Sequence, residues 1–276
     1  MLNFIHPFVV GEKLWVAGRH VAIRQLLATD ARMYVYIVDD PVHPVPLILK
    51  ECFRQPNYKE YKASYYGSGK AFNSGRWEYE TQRELQDHRN IVKTLGGHRY
   101  AKDPRRFLIL MEYAKFGDLG QVLEEYGHVY YDAAWLFYKQ ILSGLGHMHR
   151  HQQVHHGIAP RNIFVFSEDL VKIGDFGNGF VTCPCGSPDS PLTTCERADI
   201  KDAAWCLLRM LVGKLDDAVD DLIKMTHEEE AQKFLEDHPN WASRMTADDC
   251  WYLHQQLQHS MCHRPIPPAY TATRGF

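Results

Sequence analysis

The chain has 276 residues, of which 45% are hydrophobic, so it can bury a substantial core in one or two domains. A formal net charge of −3 gives no electrostatic basis for binding nucleic acid or an anionic membrane surface. No apolar run approaches the ~18 residues that a membrane-spanning helix needs. The seven cysteines are scattered and odd in number, which predicts a reduced, cytoplasmic protein rather than a disulfide framework.

The beginning of the chain predicts β-structure. Residues 14–23, 26–38 and 45–50 are rich in β-branched and aromatic side chains, which favours three strands. The third segment ends at Lys50. A polar stretch rich in Tyr, Gly and Ser, residues 55–76, predicts an exposed insertion or loop.

A helix and a further strand are predicted next. Residues 77–87 have a helical composition, and Glu78 and Glu80 lie near the start of this segment. Residues 107–114 are apolar and end in Met-Glu-Tyr-Ala, which predicts a strand that leads out of the β-rich part of the chain.

The second half of the chain is mainly helical in pattern. Residues 132–151 repeat apolar side chains at helical spacing and predict a long amphipathic helix. Residues 199–213, 218–230 and 247–261 predict three further helices.

Between these helices lies a polar loop followed by a predicted β-hairpin. Two apolar runs, residues 163–166 and 170–173, are separated by Ser-Glu-Asp, which favours a turn. Asn162 stands before the hairpin and Asp175 follows it. An amide oxygen and a carboxylate are hard ligands that suit Mg²⁺ bound to phosphate, so the hairpin predicts such a site.

This stretch resembles the catalytic and metal-binding loops of protein kinases, where His-Arg-Asp-Leu-x-x-x-Asn precedes Asp-Phe-Gly. Residues 155–157 stand at His-Arg-Asp, Asn162 at the metal-binding Asn, and residues 175–177 read Asp-Phe-Gly. The resemblance implies one α+β, bilobal kinase-like domain over residues 1–276. Its N-lobe, residues 1–113, would be an antiparallel sheet with one main helix, and residues 114–276 would form a mostly helical C-lobe.

The resemblance also implies how ATP and Mg²⁺ would be held, as possible but not required cofactors. The nucleotide-binding positions it implies are Lys50, Glu78, Glu112, Ala114, Asp118 and Asn162. The Mg²⁺ ligands it implies are Asn162 and Asp175. Two alternatives stay open at this point: Glu80 could replace Glu78 as the partner of Lys50, and Asp118 could cap a helix instead of meeting a ribose.

Three departures from the family pattern concern catalysis. Gly157 occupies the position of the catalytic Asp, and glycine has no side chain to accept a proton. The segment that aligns with the glycine-rich lid, residues 29–33, contains no glycine and carries Asp30. No Ala-Pro-Glu motif lies between Asp175 and Asp199.

The segments 16–20 and 27–36 resemble the lead-in of Numb-associated kinases, the sequence around the first strands.

These departures predict a pseudokinase that is not an enzyme and acts as a binding, scaffolding or allosteric module for a protein partner. The same reasoning predicts no nucleic-acid or membrane partner. Two alternatives remain: a residual or atypical ATP-dependent phosphotransferase or nucleotidyltransferase, and a nucleotide-free interaction module. No zinc is expected, because Cys183 and Cys185 are too close together for a usual zinc site.

Overall fold

A computed structural model describes residues 5–30, 33–53, 75–178, 180–181 and 194–258. The chain divides into two compact units. The first runs to Ala114 and includes a short segment that begins at Gly174. The second runs from Lys115 to Ile173 and resumes at Phe180.

The described residues of the first unit form one antiparallel sheet of six strands. In chain order the strands are β1 (Lys13–Val16), β2 (Arg19–Asp30), β3 (Met33–Asp39), β4 (Leu47–Phe53), β5 (Thr94–Arg99) and β6 (Arg106–Glu112). Their order across the sheet is β1-β2-β3-β4-β6-β5, which makes β4 an interior strand with hydrogen-bonded neighbours on both sides. One face of the sheet carries a cluster of buried apolar side chains that includes Val16, Leu49 and Leu108.

The sheet curls so that its two edge strands approach each other. A side-chain carbon added at Gly96 in β5 would lie 2.3 Å from the Cβ atom of Ala17, next to the end of β1. Only a glycine permits this approach, because real carbon atoms do not pack that closely. Gly96 therefore lets the sheet form a half-barrel around its apolar interior.

Two of the predicted strands have different bounds in the structure. The predicted strand 14–23 is broken at Ala17 and Gly18, which turn the chain with φ values of 54° and 77°. The predicted strand 26–38 covers the end of β2 and the start of β3, and residues 31–32 between them lie outside the described part. Both predictions were wrong: the first because the two-residue turn at Ala17 and Gly18 is too short to interrupt a β-rich composition, and the second because its residues belong to two paired strands.

One helix, α1 (Gly75–Leu85), packs against the sheet of the first unit. It begins two residues earlier than predicted, so residues 75 and 76 belong to the helix and not to the predicted loop. The rest of that predicted loop, residues 55–74, lies outside the described residues. Helix α1 buries a face that includes Glu78, Gln82 and Leu85.

The second unit is mainly helical. Its helices are α2 (Leu119–Tyr126), α3 (Tyr131–Arg150), α4 (Thr194–Val212), α5 (Ala218–Lys224), α6 (Glu230–Asp237), α7 (Pro239–Ala242) and α8 (Ala247–Gln258). Helices α3 and α4 pack together through buried faces. The described residues of this unit also form four short strands: β7 (Gln153–Val154), β8 (Ile163–Ser167), β9 (Leu170–Ile173) and β10 (Phe180–Val181). Strand β8 pairs with β9 and β7 with β10, in both cases antiparallel.

The structure confirms the main predictions for this unit and corrects one. The β8–β9 hairpin and the long helix α3 lie where the sequence predicts them. The single helix predicted over residues 218–230 was wrong, because α5 ends at Lys224 and α6 begins at Glu230. No helix in the described ranges is both long and apolar enough to cross a membrane. The α+β class, with an antiparallel sheet carrying one main helix and a mainly helical remainder, is confirmed.

Candidate functional site

Lys50 and Glu78 form a buried ion pair in the first unit. Strand β4 carries Lys50, the first turn of α1 carries Glu78, and Nζ lies 2.6 Å from Oε1. Glu80, the alternative, pairs instead with Arg76 at the surface, with 2.7 Å between Nε and Oε1. Glu78 is therefore the partner of Lys50. A buried charge without such a partner would be costly.

Asp175 is a second partner of the same lysine. Its Oδ1 atom lies 2.7 Å from Lys50 Nζ, and its side chain is 35% exposed, against 5% for Glu78. Burial alone would lower the pKa of Lys50, but the charges of Glu78 and Asp175 outweigh it and raise that pKa. Lys50 is thus held as a cation between two carboxylates, and Asp175 is the one that a metal ion could reach.

The backbone at Asp175 is unusual. Its φ of 62° lies in the left-handed region, which few residues other than glycine adopt. Such a conformation costs of order 1–3 kcal/mol and persists only where the surrounding contacts enforce it. The ion pair with Lys50 is one such contact.

In the second unit, Asp199 organises the loop that precedes the β8–β9 hairpin. Its two carboxylate oxygens accept the backbone N–H groups of His155 and His156, both at 2.8 Å. One oxygen also lies 3.0 Å from Nε2 of His149. Burial alone would raise the pKa of Asp199, but the bond to His149 and its other partners hold that pKa below the usual value.

Gly157 and Asn162 are joined within this loop. The Asn162 side-chain amide donates from Nδ2 to the Gly157 carbonyl at 2.7 Å. Because the amide nitrogen is committed, Oδ1 is the atom that Asn162 could offer to a cation. Gly157 is not among the described glycines with positive φ, so its backbone conformation does not require glycine.

Asp118 caps helix α2. Its Oδ1 accepts the Gln121 N–H at 3.0 Å, and the Gln121 side chain accepts the Asp118 N–H at 3.1 Å. This reciprocal pair is a capping box, so the helix-cap alternative for Asp118 is observed. Burial raises the pKa of the carboxyl. A contact with a ribose stays a prediction.

The two predicted adenine contacts lie at the end of the first unit. The backbone N–H of Glu112 donates to the Lys93 carbonyl at 3.1 Å, and its carboxylate accepts the Lys93 N–H at 2.7 Å. Ala114 follows and is buried. The role of both residues in binding adenine stays a prediction, and the N–H of Glu112 is already engaged.

Sequence reasoning missed His149 as the side-chain partner of Asp199. This histidine lies in the last turn of α3, between His147 in the same turn and His151 at the C-cap. Its burial is the distinguishing feature, and burial follows from the packing of α3 against α4. A careful count of the helical face would have placed His149 on the buried side with Leu145 and Met148.

Metal binding is the remaining feature of the site. Among the described residues there is no cluster of three or more His, Cys, Asp or Glu side chains that could hold a metal ion. Magnesium bound to a nucleotide does not need such a cluster, because phosphate and water oxygens complete its shell. The zinc expectation concerns Cys183 and Cys185, which lie outside the described residues.

The half-barrel, the helical second unit and the Lys50 ion pairs define a protein kinase-like fold. The chain belongs to the protein kinase domain family, whose sequence profile matches residues 57–194. The serine/threonine protein kinases OSK3 and OSK4 of Oryza sativa subsp. indica are 36% identical over 139 residues. The SNF1-related protein kinase catalytic subunit alpha KIN12 of Arabidopsis thaliana is 31% identical over 121 residues.

These similarities are partial. The rice matches cover 44% of this chain and 27% of each rice protein, and the Arabidopsis match covers 41% and 24%. The chain therefore matches about a quarter of the length of these relatives. The expectation that the chain is not an enzyme is nevertheless wrong, because its relatives are named protein kinases and it belongs to an enzyme family. The resemblance to Numb-associated kinases stays a prediction.

Proposed function

We propose that this protein binds ATP with Mg²⁺ and transfers a phosphoryl group slowly to a protein acceptor. The observation that carries the proposal is the position of Lys50, which lies within 2.7 Å of both Glu78 and Asp175. A lysine held rigidly and fully charged is the group that phosphoryl transfer uses to bind the phosphates of ATP.

The residues of the first unit fit a nucleotide-bound metal ion. Asp175 would offer a partly exposed carboxylate to Mg²⁺ while Lys50 binds phosphate oxygens. For the second unit, the family resemblance alone implies Asn162 as a ligand, and its side-chain oxygen is the atom it could offer, because its amide nitrogen bonds the Gly157 carbonyl. Bound Mg²⁺ would neutralise charge on the phosphates. Glu78 would keep Lys50 in place when Asp175 turns to the metal ion.

Gly157 sets the expected rate. Phosphoryl transfer depends mainly on positioning and charge stabilisation, so it does not strictly need a side-chain base. A general base contributes about 10²–10⁴-fold in rate. We therefore propose slow transfer, in which the acceptor hydroxyl loses its proton to water or to the phosphate itself.

A protein acceptor follows from the relatives, which are named serine/threonine protein kinases. A cytoplasmic setting is part of the proposal, because Cys52, Cys206 and Cys250 are free thiols. Nucleic acid and membrane partners are not proposed.

Thermal unfolding with ATP and Mg²⁺ tests the nucleotide step. A ligand at about 100 times its dissociation constant stabilises a protein by about 2.7 kcal/mol, so ATP should raise Tm. Lys50→Met should abolish the rise, whereas Lys93→Met, at an exposed position in the same unit, should retain it. No shift in the unaltered protein at millimolar ATP with Mg²⁺ would contradict the proposal.

Transfer itself is tested with labelled ATP and a mixture of candidate protein acceptors. Label should appear on protein in the presence of Mg²⁺ and should be lost in Asp175→Asn, which keeps the shape but removes the charge. Equal labelling by this variant and the unaltered protein would exclude Asp175 from the reaction.

A further inference from the structure

Residues 5–8, named here the 5–8 strap, lie in an ordered arrangement on the first unit without belonging to a strand. The hydroxyl of Tyr34 donates to the Ile5 carbonyl at 2.9 Å. The backbone N–H of Phe8 donates to the hydroxyl of Tyr36 at 3.0 Å. Ile5 and Phe8 are both buried, and Phe8 belongs to the apolar cluster inside the half-barrel.

Arg106 holds the strap from another direction. Its Nη2 donates to the His6 carbonyl at 2.7 Å, and its guanidinium lies 4.8 Å from the centre of the Phe8 ring. The same guanidinium reaches Glu51, with 3.1 Å between Nη1 and Oε1. Tyr36 donates its hydroxyl hydrogen to the other oxygen of Glu51 at 2.9 Å. The strap is thus connected to Glu51 through two separate side chains.

These contacts tie three adjacent strands together. Tyr34 and Tyr36 lie on β3, Glu51 on β4 and Arg106 on β6. Strand β4 is hydrogen-bonded between the other two. The strap contacts side chains of β3 and β6, and two of these, Tyr36 and Arg106, bind Glu51 on β4, so the docked strap resists separation of the three strands.

Glu51 and its neighbour Lys50 face opposite sides of β4. Successive side chains of a strand alternate between faces. Glu51 accordingly meets the strap side, where it is fully buried, while Lys50 meets Glu78 of helix α1. The strap therefore lies directly behind the part of the backbone that positions the ion-paired lysine.

We propose that the 5–8 strap is a releasable brace, and that its docking sets the rigidity of β4 and so the position of Lys50. When the strap is docked, the three strands are tied and Lys50 stays against Glu78. When it is released, β4 opens more often and the lysine loses its fixed position. Segments that open locally in this way exchange their amide hydrogens faster than the rest of the fold.

Hydrogen exchange of the full chain, followed by mass spectrometry, tests the brace. Phe8→Ala removes the ring that Arg106 covers, and Val10→Ala is the matched control because Val10 is 70% exposed. In Phe8→Ala, amides of the strap and of β4 should exchange at least about tenfold faster. The β8–β9 hairpin of the second unit should be unchanged, and Val10→Ala should behave as the unaltered protein.

Faster exchange of the strap with unchanged exchange of β4 would overturn the proposal, and so would an unchanged strap. If Phe8→Ala also makes the amides of the β8–β9 hairpin exchange faster, the variant is unfolded. The variant Tyr36→Phe then tests the brace instead. That variant keeps the ring but removes the hydroxyl between Phe8 and Glu51. Amides of β4 should exchange faster in this variant, and those of the β8–β9 hairpin should be unchanged. If β4 exchanges at the same rate in Tyr36→Phe and in the unaltered protein, the brace is rejected.

One consequence rests on the proposed ATP binding. If Lys50 binds phosphate, releasing the strap should weaken ATP binding by about threefold to tenfold, since part of the population no longer holds the lysine in place. If the unaltered protein does not bind ATP, the proposed function is contradicted, whereas the hydrogen-exchange experiment still tests the brace.

Discussion

Asp199 accepts the backbone N–H of His156 at 2.8 Å, and His156 has a left-handed φ of 52°. The residue after it is Gly157, so this bond fixes the course of the chain beside the position that lacks a base. A buried carboxylate on helix α4 thus compensates the backbone strain of the loop that carries Gly157 and Asn162.

Replacing Asp199 with Asn should destabilise the second unit. The Asn amide nitrogen would face a backbone N–H that needs an acceptor, and an unsatisfied buried group costs about 1–3 kcal/mol. Chemical unfolding measures the loss, with Glu236→Gln at an exposed position as the control. Equal stability of the two variants would show that the Asp199 bonds do not hold the loop.

The lowered pKa of Asp199 also predicts that the stability of the fold depends on pH in the acidic range. A carboxyl whose pKa is depressed in the folded protein stabilises the fold above its ordinary value of 3.8. That contribution is lost as the pH falls through the lower, folded value. Asp199→Asn should therefore cost less stability in strong acid than at neutral pH, and a constant cost would contradict the assignment.

Replacing Glu78 with Ala should destabilise the first unit far more than replacing Glu80. Removing one partner of a buried pair costs about 3–5 kcal/mol, and the lower end applies because Asp175 still balances Lys50. Glu80 forms an exposed pair with Arg76, which is worth at most about 0.5 kcal/mol. Urea unfolding of the two variants compares them directly, and similar losses would argue against the buried pair.

Introducing a carboxylate at Gly157 should accelerate the proposed phosphoryl transfer. In Gly157→Asp the new side chain occupies the family's base position, and a general base is worth about 10²–10⁴-fold in rate. Gly157→Asn is the matched control, because it adds the same volume without a proton acceptor. ATP affinity should change little in either variant. Equal rates for Asp and Asn would show that residue 157 does not face the acceptor.

Glu51 predicts a second pH dependence, of opposite sign. Burial raises its pKa from 4.5 to about 7, although Arg106 and the Tyr36 hydroxyl oppose the shift, and Asp103 and Glu12 add to it. Between these values the folded protein binds a proton that the unfolded chain releases. Stability should therefore fall as the pH rises from about 4.5 to about 7.

Glu51→Gln tests this sign. The amide does not titrate, so the difference in unfolding free energy between the variant and the unaltered protein should change with pH across that window. The variant should gain relative stability as the pH rises from 5 to 8. A difference that is constant across the window would mean that Glu51 titrates at its ordinary value.

Much of the local structure could be predicted from the sequence. The β8–β9 hairpin and helix α3 followed from short-range apolar patterns, which depend on neighbouring residues alone. The turn at Ala17 and Gly18 could not be found, because one glycine among β-forming residues gives little signal. The break between α5 and α6 was missed for a similar reason, since its residues are themselves compatible with a helix.

The sequence by itself determined the set of chemical groups: a lysine at the end of an apolar strand, an amide before a hairpin, a carboxylate after it, and a glycine where the kinase motif has a base. Only the tertiary structure decided which groups pair. Glu78 and Glu80 differ by about 200° around a helix, so the orientation of α1 against the sheet selects between them. The strap on Glu51 and the bonds of Asp199 likewise join residues far apart in the chain, and no local pattern encodes such contacts.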